Sequence, residues 1–309
     1  MRPSFEDLFE RPIQYPDADM RGRLSDLVGL DEHRSRLMKI LSLLINPAGI
    51  ESWAAKHHPS SKKIVGMVLR RPPLIVLEGD VGCGKTELAV TIGDAVARQE
   101  RIDVTLLPLS LATRGQGLVG EMTKLISSAF DYTVEKAEKL KNTSGSSRGG
   151  IILLIDEADA LAQSRESNQM HHEDKAGVNA FIRGIDRIGN GKLPAAVIMC
   201  TNRLSSLDPA IKRRAADIIK FERPNESQQI AVITEPLTEL GFSSKQIKEL
   251  VSTINNEFTT KLGYSYSFSD LVQRVLPSIV LDAYPDRPVR FEQAISIMRL
   301  MEPTPPFKS

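Results

Sequence analysis

Cysteine is scarce: the 309 residues hold two, Cys83 and Cys200. They lie far apart and fit no metal-ligand spacing, which excludes a disulfide framework and a thiolate zinc site. A charge excess of either sign is also missing. The 40 basic residues against 39 acidic ones leave a formal net charge of +1, whereas gripping duplex DNA over many phosphates calls for a basic excess or a basic face. Long apolar runs are absent too. Ile151 to Ile155 is among the longest, and a run of that length suits a strand and is far too short to span a bilayer. The opening MRPSFEDLFERP carries charges and prolines where a secretory signal needs an apolar stretch. The cytoplasm is the expected compartment, with no membrane association.

What is present is the balance of an ordinary globular protein, 41% apolar and 26% charged, which excludes wholesale disorder. The length suits two domains, or one domain with a lid. Residues 1–22, with three prolines and many charges, read as an irregular arm. Leu37, Ile40, Leu41 and Leu44 then mark the apolar face of a helix over about 32–44. A polar, basic insert follows from about His57 to Lys63. From Leu74 the pattern alternates. Strands are expected at 74–77, 104–109, 151–155, 195–200 and 218–221, and helices at 87–98, 117–141 and 176–188. Alternation of this kind predicts a five-stranded parallel sheet with helices on both faces. After Pro224 the periodicity is purely helical, at about 226–239, 244–257, 268–283 and 289–300. The expected division is therefore an α/β domain over 23–223, a small helical lid over 224–303 and a tail over 304–309. The stretch at 141–150 reads as a flexible loop by composition.

Gly79-Asp80-Val81-Gly82-Cys83-Gly84-Lys85-Thr86 matches the pattern G-x-x-x-x-G-K-[ST] between an expected strand and an expected helix. Glycines let backbone N–H groups curl around phosphate oxygens, and the helix N-terminus adds partial positive charge. Lys85 then reaches the β- and γ-phosphates of ATP, and the Thr86 hydroxyl takes Mg²⁺. Glu87 completes the nucleotide-binding run. At ordinary residue frequencies such a string arises about 0.01 times in a chain of this length.

Ile151-Ile152-Leu153-Leu154-Ile155-Asp156-Glu157 is a buried strand that ends abruptly in two carboxylates. Ligands of doubly wound sheets sit at the carboxyl ends of the strands, so the glycine loop and this acidic pair are expected to meet. Asp156 is the metal-side carboxylate. Glu157 is placed to polarise the attacking water as general base.

Together with Thr201-Asn202 after the next strand and Asp208-Pro209-Ala210-Ile211-Lys212-Arg213-Arg214, these motifs resemble the AAA+ ATPases over about residues 25 to 300. The resemblance implies that Val28-Gly29-Leu30 receives adenine and that Asn202 is the sensor of the γ-phosphate or lytic water. It further implies that Arg213 and Arg214 are fingers reaching into a neighbouring subunit's site, so that the active form is a homo-oligomeric ring, a hexamer. Gly177-Val178-Asn179-Ala180 through Ile185-Asp186, Arg214-Ala215-Ala216-Asp217 and Leu276-Pro277 are similar to the pachytene-checkpoint/thyroid-receptor-interactor branch, and the short arm, where its eukaryotic members carry a substrate-binding domain, resembles its bacterial HORMA-remodelling members in cyclic-oligonucleotide anti-phage operons. That branch implies an ATPase that opens HORMA-domain proteins and frees them from a bound nucleotidyltransferase, switching defence signalling off. Two positions depart from the pattern. The stretch matching the branch's pore loop, Leu111 to Gly117, has Leu111 and no aromatic. Leu271 stands where the branch carries a lid arginine, with Arg274 one helical turn further on.

Two other readings stay open. One is a nucleic-acid-associated machine of the helicase-loader or clamp-loader kind, against which the neutral charge counts. The other is a ring module that holds ATP without turning it over. His171, His172, Glu173 and Asp174 are adjacent along the chain and converge poorly on a metal. Cys83 reads as a small filler in the loop, and Trp53, the single tryptophan, as packed on its neighbouring helix.

Overall fold

The computed structural model of the protein describes residues 8–111, 121–142, 147–161 and 171–307. Residues 112–117 of the pore-loop stretch lie outside the described residues, as do 143–146 of the composition-defined loop and the side chains of His171, His172, Glu173 and Asp174. The chain forms two compact units, one of residues 1–25, 32–78 and 86–220, the other of residues 26–31, 79–85 and 221–309.

The first unit is built on a sheet. Its strands are β1 (Ile13–Tyr15), β2 (Leu74–Gly79), β3 (Asp103–Ser110), β4 (Gly149–Asp156), β5 (Ala195–Thr201) and β6 (Ala215–Phe221), in the order β1-β3-β4-β5-β2-β6. The pairs β3/β4, β4/β5 and β2/β5 are parallel. Unbroken aliphatic sequence is what two covered faces require, and β5 is buried at all seven positions. Ile151, Leu153 and Ile155 point with Val197 and Met199 into a core shared with Ile126, Phe130, Phe181 and Ile185. These last four belong to two long helices, α6 (Glu121–Leu140) and α7 (His171–Gly191). Phe130 and Phe181 meet edge to face with ring centroids 5.5 Å apart, a preferred aromatic geometry. The in-between residues Ile152 and Leu154 serve the opposite face and are equally buried. There Gly150 lets Ile45 of helix α2 (Asp31–Ile45) approach so closely that a Cβ would sit 2.1 Å from its Cγ2.

The sheet has six strands where the sequence predicts five, and the extra one comes from the arm read as irregular. Strand β1 pairs antiparallel with β3, Ile13 opposite Leu106 and Tyr15 opposite Val104, and helix α1 (Ala18–Ser25) follows. A three-residue strand shows too little alternation to be recognised locally, and its partner lies some ninety residues away. From Leu8 onward the arm is firmly seated. Leu8 and Phe9 join the core, the Tyr15 hydroxyl donates to the Val90 carbonyl, and the Asp17 N–H donates to Asp94 at 2.8 Å.

The basic insert is also more ordered than its composition suggests. It carries parts of two short helices, α3 (Ala48–His57) and α4 (Lys62–Val68). Trp53 is 50% exposed and lies beside the rings of His57 and His58, not buried against a neighbouring helix. Helix α5 (Lys85–Glu100) follows the glycine loop, and the single turn α8 (Pro209–Lys212) is capped by Asp208, which accepts the Ala210 N–H.

The second unit is helical: α9 (Glu226–Glu239), α10 (Ser244–Leu262), α11 (Leu276–Ala283) and α12 (Phe291–Leu300). Reciprocal capping boxes, Asn225 with Gln228 and Ser243 with Gln246, satisfy orphan N–H groups at the starts of α9 and α10. Ile233, Leu250, Phe258, Tyr266, Leu271 and Met298 fill its core. The expected helix over 268–283 is present without interruption, and within it Asp270–Val275 takes a π-helical turn that leads into α11. Pro277 explains the local widening, since it has no N–H to offer the carbonyl four residues back.

Candidate nucleotide site

Parallel register brings the carboxyl ends of the central strands to one level: Glu78 is opposite Thr201, Leu77 opposite Cys200 and Ile155 opposite Met199. In the sheet unit, Thr86, Asp156 and Glu157 line one cavity of about 300 Å³ together with Glu10, Val90, Pro108, Leu109 and Leu154. Oxygen donors of this sort, one hydroxyl and one or two carboxylates, suit Mg²⁺, which keeps much of its water and phosphate shell and does not need an all-protein cage. Among the described residues no group of three or more His, Cys, Asp or Glu forms such a cage.

Strand β4 ends in a tight reversal. Glu157 adopts φ +54°, a left-handed backbone, and its N–H donates to the Asp156 Oδ1 at 2.9 Å. A non-glycine residue held this way stores strain, a condition concentrated at functional sites. Two residues on, Asp159 accepts from the Thr201 hydroxyl at 2.6 Å, the Asn202 N–H at 3.0 Å and the Arg203 N–H at 3.1 Å. One carboxylate thus fixes the turn that carries Asn202 to the turn that carries Glu157.

In the helical unit the glycine loop is folded against its surroundings at several points. Lys85 is buried, and its ammonium donates to the Gly79 carbonyl at 2.8 Å and the Asp80 carbonyl at 2.7 Å. Gly79 takes φ +153°, and a Cβ there would sit 2.1 Å from the Phe221 carbonyl oxygen. At Gly82, φ is +75° and a Cβ would come within 2.7 Å of the Ser267 hydroxyl. Only glycine fits either place. The Ser269 N–H donates to the Gly82 carbonyl at 3.0 Å. Leu30 lies against Gly84, while the Gly29 carbonyl accepts from Gln228 at 2.8 Å, so Val28-Gly29-Leu30 and the glycine loop share one compact unit. Cys83 is fully buried, and burial above all pushes its thiol up to about 11. It is a neutral filler at physiological pH.

The two finger candidates part company. Arg214 donates to both oxygens of Asp186, at 2.8 and 3.0 Å. Arg213 is exposed, and its side chain makes no hydrogen bond or ion pair among the described residues. Arg274 donates to Asp270 at 2.7 Å and to Thr304 at 3.0 Å, and Leu271 is buried in the lid core. Leu111, the first residue of the stretch that resembles the branch's pore loop, is 1% exposed and belongs to the sheet core.

Sequence reading missed Asp159, Glu10 and Arg223. Asp159 carried a usable signal, lying three residues beyond Asp156 on the turn that leaves a strand end. Glu10 and Arg223 carried none, because both are brought in by contacts distant along the chain.

A strand-loop-helix holding G-x-x-x-x-G-K-T, in a chain that also carries an acidic strand end, is the pattern of a P-loop nucleotide hydrolase. Residues 75–223 match the model of the ATPase family associated with various cellular activities (AAA). The chain is 61% identical over 307 residues to CD-NTase-associated protein 6 of Escherichia coli strain MS 115-1, covering 99% of this chain and 98% of that one. It belongs to the AAA ATPase family, in the group of CD-NTase-associated protein 6. A solved chain described as part of the E. coli MS115-1 HORMA:CdnC:Trip13 complex is similar with a TM-score of 0.90 and 59% identity, covering 100% of both chains. Rhizobiales Trip13 is similar with a TM-score of 0.76 and 54% identity, covering 97% of this chain and 100% of that one. Among the described residues no helix is long and apolar enough to cross a membrane.

Proposed function

We propose that this AAA ATPase works as a homo-oligomeric ring, a hexamer, that uses ATP and Mg²⁺ to open a HORMA-domain protein and release it from a bound nucleotidyltransferase. Its place is that of a negative regulator of cyclic-nucleotide-based anti-phage defence in the bacterial cytoplasm. The observation that carries the reading is the full-length likeness to a chain of a HORMA:CdnC:Trip13 complex, together with that to CD-NTase-associated protein 6. The local geometry supports the catalytic half of it.

In this reading the glycine loop from Gly79 through Glu87 and the segment Val28-Gly29-Leu30 take the nucleotide, with Lys85 on the β- and γ-phosphates. Thr86 and Asp156 hold Mg²⁺, which neutralises developing phosphate charge when bound. Glu157 orients and deprotonates the attacking water. Asn202 is the γ-phosphate sensor, and Arg213 supplies positive charge to a neighbour's transition state. Arg214, already paired with Asp186, keeps that turn in shape.

The test measures ATP turnover together with release of a HORMA-domain protein from its nucleotidyltransferase, using wild type and Glu157→Gln. Wild type is expected to do both, and Glu157→Gln to stay bound to ATP and to the HORMA protein. Turnover without release would remove the remodelling half, and equal turnover by the variant would remove Glu157 as base.

A further inference from the structure

The second residue of the phosphate-binding loop is an aspartate, and this is a physical problem. Asp80 places a full negative charge in a loop whose task is to receive a polyanion, and like charges at close quarters repel. The structure meets it with a single arginine far along the chain. Arg223 Nε donates to Asp80 Oδ2 at 2.7 Å. Both side chains are largely buried, at 14% and 16% exposure, so solvent screens the pair little. The same guanidinium donates to the Ser265 carbonyl at 2.6 Å and the Thr304 carbonyl at 2.7 Å, and it lies 5.2 Å from the Tyr264 ring centroid. The other Asp80 oxygen accepts the Val81 and Phe307 N–H groups, each at 2.8 Å.

Building on the nucleotide reading above, we propose that Arg223 is a positioning residue of the nucleotide site: it cancels the charge of Asp80 so that the loop can accept triphosphate, and it ties the loop to Ser265 and Thr304. Burial acts to raise the Asp80 pKa, but the hydrogen bonds from Phe307, Arg223 and Val81 outweigh it and hold the carboxyl below its ordinary value. Asp80 therefore stays ionised at neutral pH, and its charge has to be balanced. Removing one partner of a buried pair leaves the other charge uncompensated, here beside the place where the phosphates bind. Arg223 itself touches no substrate and leaves the chemical step alone.

The experiment is equilibrium binding of a fluorescent ATP analogue to full-length protein with Mg²⁺, compared across Arg223→Met, Asp80→Asn and the double variant. Arg223→Met is expected to weaken binding by about tenfold or more, equivalent to about 1.4 kcal/mol. The double variant is expected to recover most of the affinity, because the charge that needed cancelling is gone. Asp80→Asn alone should bind at least as tightly as wild type. It also serves as the deciding measurement should Arg223→Met fail to fold, since weaker binding there overturns the proposal. Unchanged affinity in a folded Arg223→Met, or no recovery in the double variant, overturns it too. Failure of wild type to retain the analogue would instead defeat the nucleotide reading on which this one stands.

Discussion

The Asp159 carboxylate accepts the backbone N–H of Asn202 at 3.0 Å, and with its other hydrogen bonds it fixes the turn that carries Asn202 to the acidic end of β4. Hydrogen bonds to a charged acceptor are worth about 1.5–3 kcal/mol each. Asp159→Ala is therefore expected to lower ATP turnover by about ten- to a hundredfold, through displacement of Asn202, while nucleotide affinity holds. Steady-state kinetics beside equilibrium nucleotide binding check this. Equal losses in both would assign Asp159 to folding alone.

Glu157→Gln keeps the shape of the side chain and removes the carboxylate proposed as the base. Turnover should fall by about a hundredfold to ten-thousandfold, with nucleotide-induced thermal stabilisation retained. Single-turnover hydrolysis separates the chemical step from product release.

The two neighbouring arginines should separate cleanly. Arg213→Ala is expected to lose most turnover with no change in Tm, since its side chain has no partner among the described residues. Arg214→Ala breaks the pair with Asp186, which is partly exposed at 33% and 42%, and should lower stability by about 1 kcal/mol or less. Mixing Arg213→Ala with Glu157→Gln should restore part of the turnover, because each variant supplies what its neighbour lacks. No recovery in the mixture would argue that Arg213 does not act across subunits.

A pH-dependent weakness is expected in the helical unit. Asp270 is 1% exposed, and burial alone would raise its pKa. Hydrogen bonds from Thr304, Ser267 and Arg274 more than reverse this, so its folded pKa lies below the ordinary value. Its contribution is complete above the unfolded carboxylate pKa of about 3.9 and is lost as pH falls through the lower folded value. Wild type should be more stable than Asp270→Asn at neutral pH, the difference closing below about pH 4. A gap in Tm that stayed constant down to pH 2 would contradict this account.

Much of the candidate site was legible because its signals are local. Gly79 to Thr86 and Ile151 to Glu157 each carry their chemistry within eight residues, and burial on both faces makes β4 and β5 plainly apolar. The helices of the second unit were legible for the same reason, down to the limits of α9 at Glu226 and Glu239. What escaped depends on distance along the chain. Strand β1 is defined by its pairing with β3, and the π-helical turn at Asp270–Val275 by Pro277 and by packing around Leu271. Arg223 reads as one more surface arginine until the fold brings Asp80 to it. The resemblance of the stretch from Leu111 to a pore loop likewise could not reveal that the Leu111 side chain is buried in the core.

The left-handed backbone of Glu157 sets durability against chemistry. Such a conformation costs a residue with a Cβ about 1–2 kcal/mol, but asparagine tolerates it better. Glu157→Asn should thus melt later than wild type while hydrolysing nothing. Thermal stability and turnover are thus expected to move in opposite directions at this one residue.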